Sequence, residues 1–239
     1  MSTDYSITDE IIYPTTLVIF AILTTLFPAL LGQSWFMPII QTIGMTLFLL
    51  FVIRRGRIKR ALLLLGIWLG IQFVVITLLT TYLPTQLDYA LSDGFTRRTA
   101  YMAWFYAGSE APVGVTEGLL TRLLELLGTT AGTMATGGLL GNWILVRSVN
   151  AAAFYTGSLL GALNSPLNAL GALPIWTLLR ICGYSLFTLL FAEPLLSGNW
   201  SLGYYLRHRR MYFLIGLSLI LLALLLENTI PNLWRSLFN

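Results

Sequence analysis

Long runs of apolar residues follow one another along the chain and are separated by short polar segments. A helix rises 1.5 Å per residue, so about 20 apolar residues cross the roughly 30 Å hydrocarbon core of a bilayer. The pattern therefore predicts an all-α, polytopic transmembrane helical bundle that forms a single integral membrane domain over residues 1–239. Seven spans are favoured, at residues 12–31, 35–53, 61–83, 125–146, 148–170, 174–193 and 211–230.

The segment 148–170 allows two interpretations. Pro166 lies within it, and proline ends or kinks a regular helix. The segment therefore either crosses the membrane or is a broken, re-entrant element that leaves six crossings. The positive-inside rule favours seven, because only then do the basic clusters at 54–60 and 207–210 face the same side. This topology predicts a cytoplasmic N-terminus and a C-terminus on the outside.

The longest connection between predicted spans contains an aromatic helix at about 95–107. This stretch is too short and too mixed in polarity to cross a bilayer. Aromatic side chains are enriched where a membrane meets water, so we expect the helix to lie in that interface. Its aromatic residues are Phe95, Tyr101, Trp104, Phe105 and Tyr106.

The composition supports a membrane protein. The 239 residues are 56% hydrophobic and only 10% charged, whereas soluble domains carry about 25% charged residues. The net charge of +4 comes mostly from loops between spans, where basic residues set orientation and meet anionic lipids rather than nucleic acid. The acidic segment MSTDYSITDE lacks the basic start of a secretory signal. We therefore expect an integral protein of a bacterial cytoplasmic membrane.

Arg180 stands in the first half of the sixth predicted span. A charged side chain at the centre of a spanning helix costs about 2.5–3.5 kcal/mol on insertion scales. Helical spacing places Thr177, Tyr184 and Thr188 on the same face as Arg180. The stripe is either a structural element paired with a carboxylate or a contact for an anion or substrate.

Two carboxylates are candidate partners for Arg180. Glu227 on the last span is favoured, and Glu125 at the start of the fourth is the other candidate. Glu193 is excluded, because 13 positions along one helix correspond to about 20 Å.

Asparagines recur along the fifth segment at helical spacing and predict a polar seam shared with the Arg180 stripe. The seam would form part of a binding site. Its asparagines are Asn142 of the fourth span and Asn150, Asn164 and Asn168 of the fifth segment.

Small residues recur every four positions in the fourth and fifth segments. Such spacing lets helix backbones approach closely in lipid. The predicted packing glycines are Gly128, Gly132, Gly138, Gly157 and Gly161.

Recognised catalytic motifs are missing from the sequence. His208 is the single histidine, and there is no HExxH, Walker or dinucleotide motif. We therefore expect a protein that is not an enzyme, with no metal, no nucleotide site of its own and no cofactor other than a possible lipid. The favoured function is a non-catalytic subunit of a larger membrane assembly, with membrane lipids and other membrane subunits as partners. The alternative is a transporter or permease with an anion-accepting site around Arg180.

Overall fold

The computed structural model describes residues 7–163, 166–198 and 201–238, and within these ranges it is all-helical, without strands. Apolar runs form the long helices, and the polar connections form short ones. The helices are α1 (Ile7–Leu31), α2 (Phe36–Arg54), α3 (Ile58–Tyr82), α4 (Pro84–Ala90), α5 (Gly94–Met102), α6 (Leu119–Leu127), α7 (Thr133–Thr136), α8 (Leu139–Ala162), α9 (Pro166–Gly171), α10 (Ile175–Ser197), α11 (Leu202–His208), α12 (Arg210–Thr229) and α13 (Pro231–Phe238).

Among the described residues, five helices are long and apolar enough to cross a membrane. They are Ile12–Leu31 within α1, and α2, α3, α10 and α12 over their full lengths. Their bounds match the predicted spans closely, because an uninterrupted apolar run leaves little choice about where a helix continues. α8 is also 24 residues long, but it carries Asn142, Arg147 and Asn150.

α10 lies at the centre of the bundle. It packs against α2, α3, α7, α8 and α12, and a larger share of it is buried than of any other candidate span. Gly183 permits the close approach of α12, because a Cβ placed there would lie 3.0 Å from the carbonyl oxygen of Gly216. The helix that carries Arg180 is therefore enclosed by protein on most sides.

The predicted boundary between the fourth and fifth spans is wrong. We placed it at Arg147, but the chain turns at Gly137 and Gly138, whose φ angles are +63° and +102°. Glycine adopts this left-handed region at little cost, whereas other residues do not. Arg147 instead lies inside α8, which runs without interruption from Leu139 to Ala162.

α6 continues through a π-helical turn at Gly128–Gly132 into α7, and we call this unit the α6–α7 helix (119–136). It forms a hairpin with α8. A Cβ on Gly128 would lie 2.5 Å from Cδ1 of Ile144, and one on Gly132 would lie 2.3 Å from Cδ2 of Leu140. Side chains of α8 therefore lie directly over these two glycines where the helices of the hairpin meet.

α3 and α8 run parallel and approach closely. The hydroxyl of Thr77 donates to the carbonyl of Ala153 at 3.3 Å, and that of Thr81 donates to the carbonyl of Gly157 at 3.1 Å. A Cβ on Gly157 would lie 2.6 Å from the carbonyl oxygen of Thr77. Gly161, one turn later, has open space around it, so it does not serve the packing role predicted for it.

The two basic clusters lie at the same end of the bundle, which we call the basic end. Arg209 donates to the carboxylate of Glu193 at 3.1 Å and to the carbonyl of Gly56 at 3.2 Å. These bonds join the α2–α3 loop to the end of α10 and the start of α12. Glu193 is thus engaged at the basic end and not by Arg180.

The predicted interfacial helix is α5 with the π-helical turn Ala103–Ala107. It lies at the end of the bundle opposite the basic end. Only one of its sides is exposed, as the predicted position at the membrane–water interface requires. Phe95 and Tyr106 are exposed, whereas Tyr101, Trp104 and Phe105 are buried. Tyr101 and Trp104 pack edge-on or tilted against Tyr155 of α8, so this helix also closes the core.

Candidate functional site

A buried ion cluster joins the α6–α7 helix, α10 and α12. Nη2 of Arg122 lies 2.6 Å from Oε1 of Glu227, and Nη1 of Arg180 lies 2.9 Å from Oε2 of the same carboxylate. The three side chains are 2–3% exposed. Glu227 is the partner that the sequence favoured for Arg180, and it is shared with a second arginine.

Two more carboxylates surround Arg122. Its Nη1 lies 2.8 Å from Oε2 of Glu125 and 3.2 Å from Oε2 of Glu117. The backbone N–H of Glu117 donates to Glu227 at 2.8 Å, and the hydroxyl of Tyr184 donates to Glu125 at 3.2 Å. Glu125 therefore reaches the Arg180 stripe through Tyr184 and Arg122 and makes no ion pair with Arg180.

Glu117 lies just before α6 begins, and its burial alters the pKa of its carboxyl group. Desolvation raises the pKa of Glu117, Arg122 opposes this effect, and Glu125 adds to it. The folded protein therefore holds the Glu117 proton to a higher pH than a free glutamate does.

A cavity of about 330 Å³ adjoins the cluster, and we call it the arginine cavity. It lies between α8, the α6–α7 helix and the segment that precedes it. Its ionisable lining consists of Arg97, Glu117, Arg122, Glu125, Arg147 and Arg180.

Arg97 and Arg147 differ from the other two arginines of the cavity. In the described part of the chain, the structure gives neither side chain a hydrogen bond or an ion pair. Arg147 is exposed on the flank of α8 rather than at its end. It follows Val146, whose carbonyl accepts a hydrogen bond from Gln72 near the middle of α3. The cavity thus extends from the end of the bundle to about the middle of the bundle. There Arg147 is a cation without a counter-charge among the described residues.

Two further cavities border the same groups. One of about 90 Å³ shares Arg97 and Arg147 and reaches Asn150. The other, of about 630 Å³, lies beside Glu117 and Glu227 and extends to Asn232 at the end of the bundle. The ion cluster therefore separates the arginine cavity from a cavity at the bundle end.

Asn150 does not join the Arg180 stripe. Its amide donates to Oε1 of Gln41 at 2.9 Å and its oxygen accepts from Gln72 at 2.6 Å. Gln41 in turn donates to Thr25 at 3.0 Å. Asn150 therefore belongs to a polar chain that links α1, α2, α3 and α8.

Asn142 and Asn168 are likewise not part of the Arg180 stripe. Asn142 donates to Thr46 of α2 at 2.9 Å. Asn168 is exposed on α9, and Asn164 lies outside the described residues. The predicted seam is wrong in this respect, because the face of α8 that carries Asn142 and Asn150 is turned to α2 and α3 rather than to α10.

Thr177 and Thr188 do lie on the Arg180 face and are buried with it. Thr188 packs against Gly141 of α8, where a Cβ would lie 2.5 Å from the threonine hydroxyl. Thr188 thus contributes to the packing of α10 against α8, and neither threonine lines the arginine cavity.

Four residues of the cavity were not predicted from the sequence: Arg97, Glu117, Arg122 and Arg147. One signal was present in TEGLLTRLLELL. Five of its six leucines form an exposed face, and helical spacing places Arg122 and Glu125 on the other face. A charge on the inner face of such a helix is a candidate for a buried pair.

Comparison of this chain with known protein families, with curated proteins and with solved structures gives no match. In the described ranges, no group of three His, Cys, Asp or Glu side chains is placed to hold a metal ion.

Proposed function

We propose that this chain is the membrane component of a transporter or permease that accepts an anionic substrate in the arginine cavity. The observation that carries the proposal is the lining of four arginines, of which Arg97 and Arg147 have no carboxylate partner in the described chain. Ionisable side chains within the membrane are costly and usually mark a substrate path. An anion bound between Arg97 and Arg147 supplies the missing counter-charge.

The ion cluster supports a permease in particular. It stands between the arginine cavity and the cavity at the bundle end. An anion that reaches Arg122 competes with Glu117 and Glu125 for its guanidinium. Weakening those bonds loosens the partition between the two cavities, so substrate binding and opening are coupled.

We further propose seven crossings, with the N-terminus in the cytoplasm of a bacterium and the C-terminus outside. The α6–α7 helix and α8 add two crossings to the five apolar helices. The parallel packing of α3 and α8 supports this assignment, because parallel helices require the α6–α7 helix to return the chain to the basic end. The basic end then faces the cytoplasm.

Cysteine labelling tests this topology. In a Cys182→Ser background, a membrane-impermeant maleimide added to intact cells should label Ser109→Cys. It should label Lys59→Cys and Thr136→Cys only after the membrane is permeabilised. Labelling of Thr136→Cys in intact cells would show that the α6–α7 helix does not cross.

Transport is measured in proteoliposomes containing the full chain, with a panel of phosphate, sulfate, dicarboxylates and a fluorescent anionic phospholipid. We expect at least one anion to move faster than in protein-free liposomes. Arg147→Gln should slow that movement about 10- to 100-fold, because charge-assisted hydrogen bonds contribute about 1.5–3 kcal/mol. The matched control is Arg210→Gln, an exposed arginine outside the cavity, which should change the rate less than about twofold.

A second candidate, the non-catalytic subunit, is favoured by one observation. Arg147 is exposed on the flank of α8, where an acidic side chain of another membrane subunit could pair with it. If no anion moves and a membrane partner dissociates from Arg147→Gln but not from Arg210→Gln, the subunit function replaces the permease.

A further inference from the structure

The arginine cavity opens through the side of the bundle. Two of its lining residues, Leu124 and Arg147, are exposed on the flank, and Leu124 is 59% exposed. Leu124 belongs to an exposed apolar surface on the α6–α7 helix, which we call the leucine face. It consists of Leu119, Leu120, Leu123, Leu124 and Leu127. A polar cavity therefore meets a lipid-facing apolar surface about halfway along α8.

We propose that the cavity receives the phosphate headgroup of a membrane lipid, which enters sideways between the α6–α7 helix and α8 while its chains stay on the leucine face. This inference rests on the proposed anion-binding function and names the class of substrate. A soluble phosphate compound shares the headgroup chemistry but has nothing to place on the leucine face.

The headgroup lies between Arg97 and Arg147. Guanidinium groups bind phosphate oxygens in a two-pronged geometry, and two unpaired ones match a phosphate group without breaking an existing ion pair. Arg122 and Arg180 are already held by Glu227, and Glu117 and Glu125 repel an anion from that wall. The phosphate therefore binds first at the outer side of the cavity, next to its lateral opening, and it meets Arg122 only when it moves further in.

The size of the cavity fits this arrangement. Pockets that enclose a drug-sized ligand run from about 300 to 1,000 Å³, so this cavity of about 330 Å³ holds a headgroup and not a whole lipid. The acyl chains must remain outside. Leu124 lies at the boundary, with the cavity on one side and the leucine face on the other.

Three matched probes separate a lipid from a soluble anion. Phosphatidic acid carries the phosphate and the chains, diacylglycerol carries the chains alone, and glycerol 3-phosphate carries the phosphate alone. Native mass spectrometry of the full chain from an uncharged detergent measures the binding of each. We expect one phosphatidic acid to bind at least tenfold more tightly than either other probe.

The variants locate the site. Arg147→Gln and Arg97→Gln, which lie on different helices, should each weaken phosphatidic acid binding at least tenfold, and Arg210→Gln less than twofold. Thermal unfolding of each variant shows that it is folded. Arg55→Gln controls for lipid held at the basic end and should leave this site unchanged.

Two outcomes have different meanings. If glycerol 3-phosphate binds as tightly as phosphatidic acid and Arg147→Gln weakens both, the ligand is a soluble anion; the lipid inference fails and the proposed function stands. If Arg147→Gln and Arg97→Gln, both folded, bind every phosphate probe as Arg210→Gln does, the anion site itself is wrong.

Discussion

Replacing Glu227 with glutamine is expected to lower the free energy of unfolding by about 3–5 kcal/mol, the range seen when one partner of a buried ion pair is removed. The carboxylate accepts bonds from Arg122, from Arg180 and from the backbone N–H of Glu117. Glutamine keeps one acceptor oxygen and replaces the other with an NH₂ group, which cannot accept a hydrogen bond from a guanidinium. Arg122 and Arg180 therefore lose hydrogen bonds while they remain buried.

Thermal unfolding in a fixed detergent measures this loss. Glu110→Gln is the matched control, because Glu110 is exposed and the same chemical change should then be nearly neutral. Adding Arg180→Leu to Glu227→Gln should restore only part of the stability, because Arg122 still lacks its strongest partner. Full restoration in the double variant would mean that Arg122 does not depend on Glu227.

Gly157→Leu should produce the second large effect, at least about 3 kcal/mol, at the upper end of the cost of overpacking a core. A Cβ at this position would lie 2.5 Å from Cβ of Thr80 and 2.6 Å from the backbone oxygen of Thr77. A side chain therefore forces α3 and α8 apart, and the hydrogen bonds that Thr77 and Thr81 make across the interface are lost.

Gly161→Leu provides the internal control, one helical turn away on α8. Nothing lies within 4 Å of the position of its Cβ, and leucine favours a helix over glycine by up to about 1 kcal/mol. Stability should therefore stay the same or rise slightly. Equal losses for the two variants in thermal unfolding would show that α3 and α8 do not meet at Gly157.

Apolar length alone predicted five helices with bounds close to those observed. In these segments the length of the apolar run outweighs local helix-breaking residues. Pro14 and Pro28 both lie inside α1, and the helix still runs from Ile7 to Leu31. The physical reason is that in lipid no alternative to the helix satisfies the backbone polar groups.

The hairpin of the α6–α7 helix and α8 could not be placed in the same way. Arg147 resembled a loop residue because a charge inside a span is costly. In the structure Arg147 lies within α8 and lines a cavity, while Gly137 and Gly138 supply the turn. Two glycines within a glycine-rich helix are hard to distinguish from packing glycines until φ is known.

The candidate site was predictable only in part. Glu227 was favoured for Arg180 because both needed a partner at similar depth. Arg122 was not predicted as a site residue because the residues around it are mostly leucines. The asparagines were assigned to the wrong neighbouring helix, because helical spacing defines a face without saying which helix that face contacts. Asn150 illustrates this, since helical periodicity cannot distinguish Gln72 of α3 from Arg180 of α10.

The shared carboxylate of Glu227 has a consequence for how the protein is made. Arg180 precedes it by 47 residues and Arg122 by 105. At about 5–20 residues per second, a ribosome needs roughly 2–9 s to travel from Arg180 to Glu227. During that interval the central helix has been synthesised but its carboxylate has not. Retention of the unfinished bundle at the insertion machinery until α12 emerges would protect Arg180 from lipid, and the arrival of α12 then commits the chain to its native arrangement.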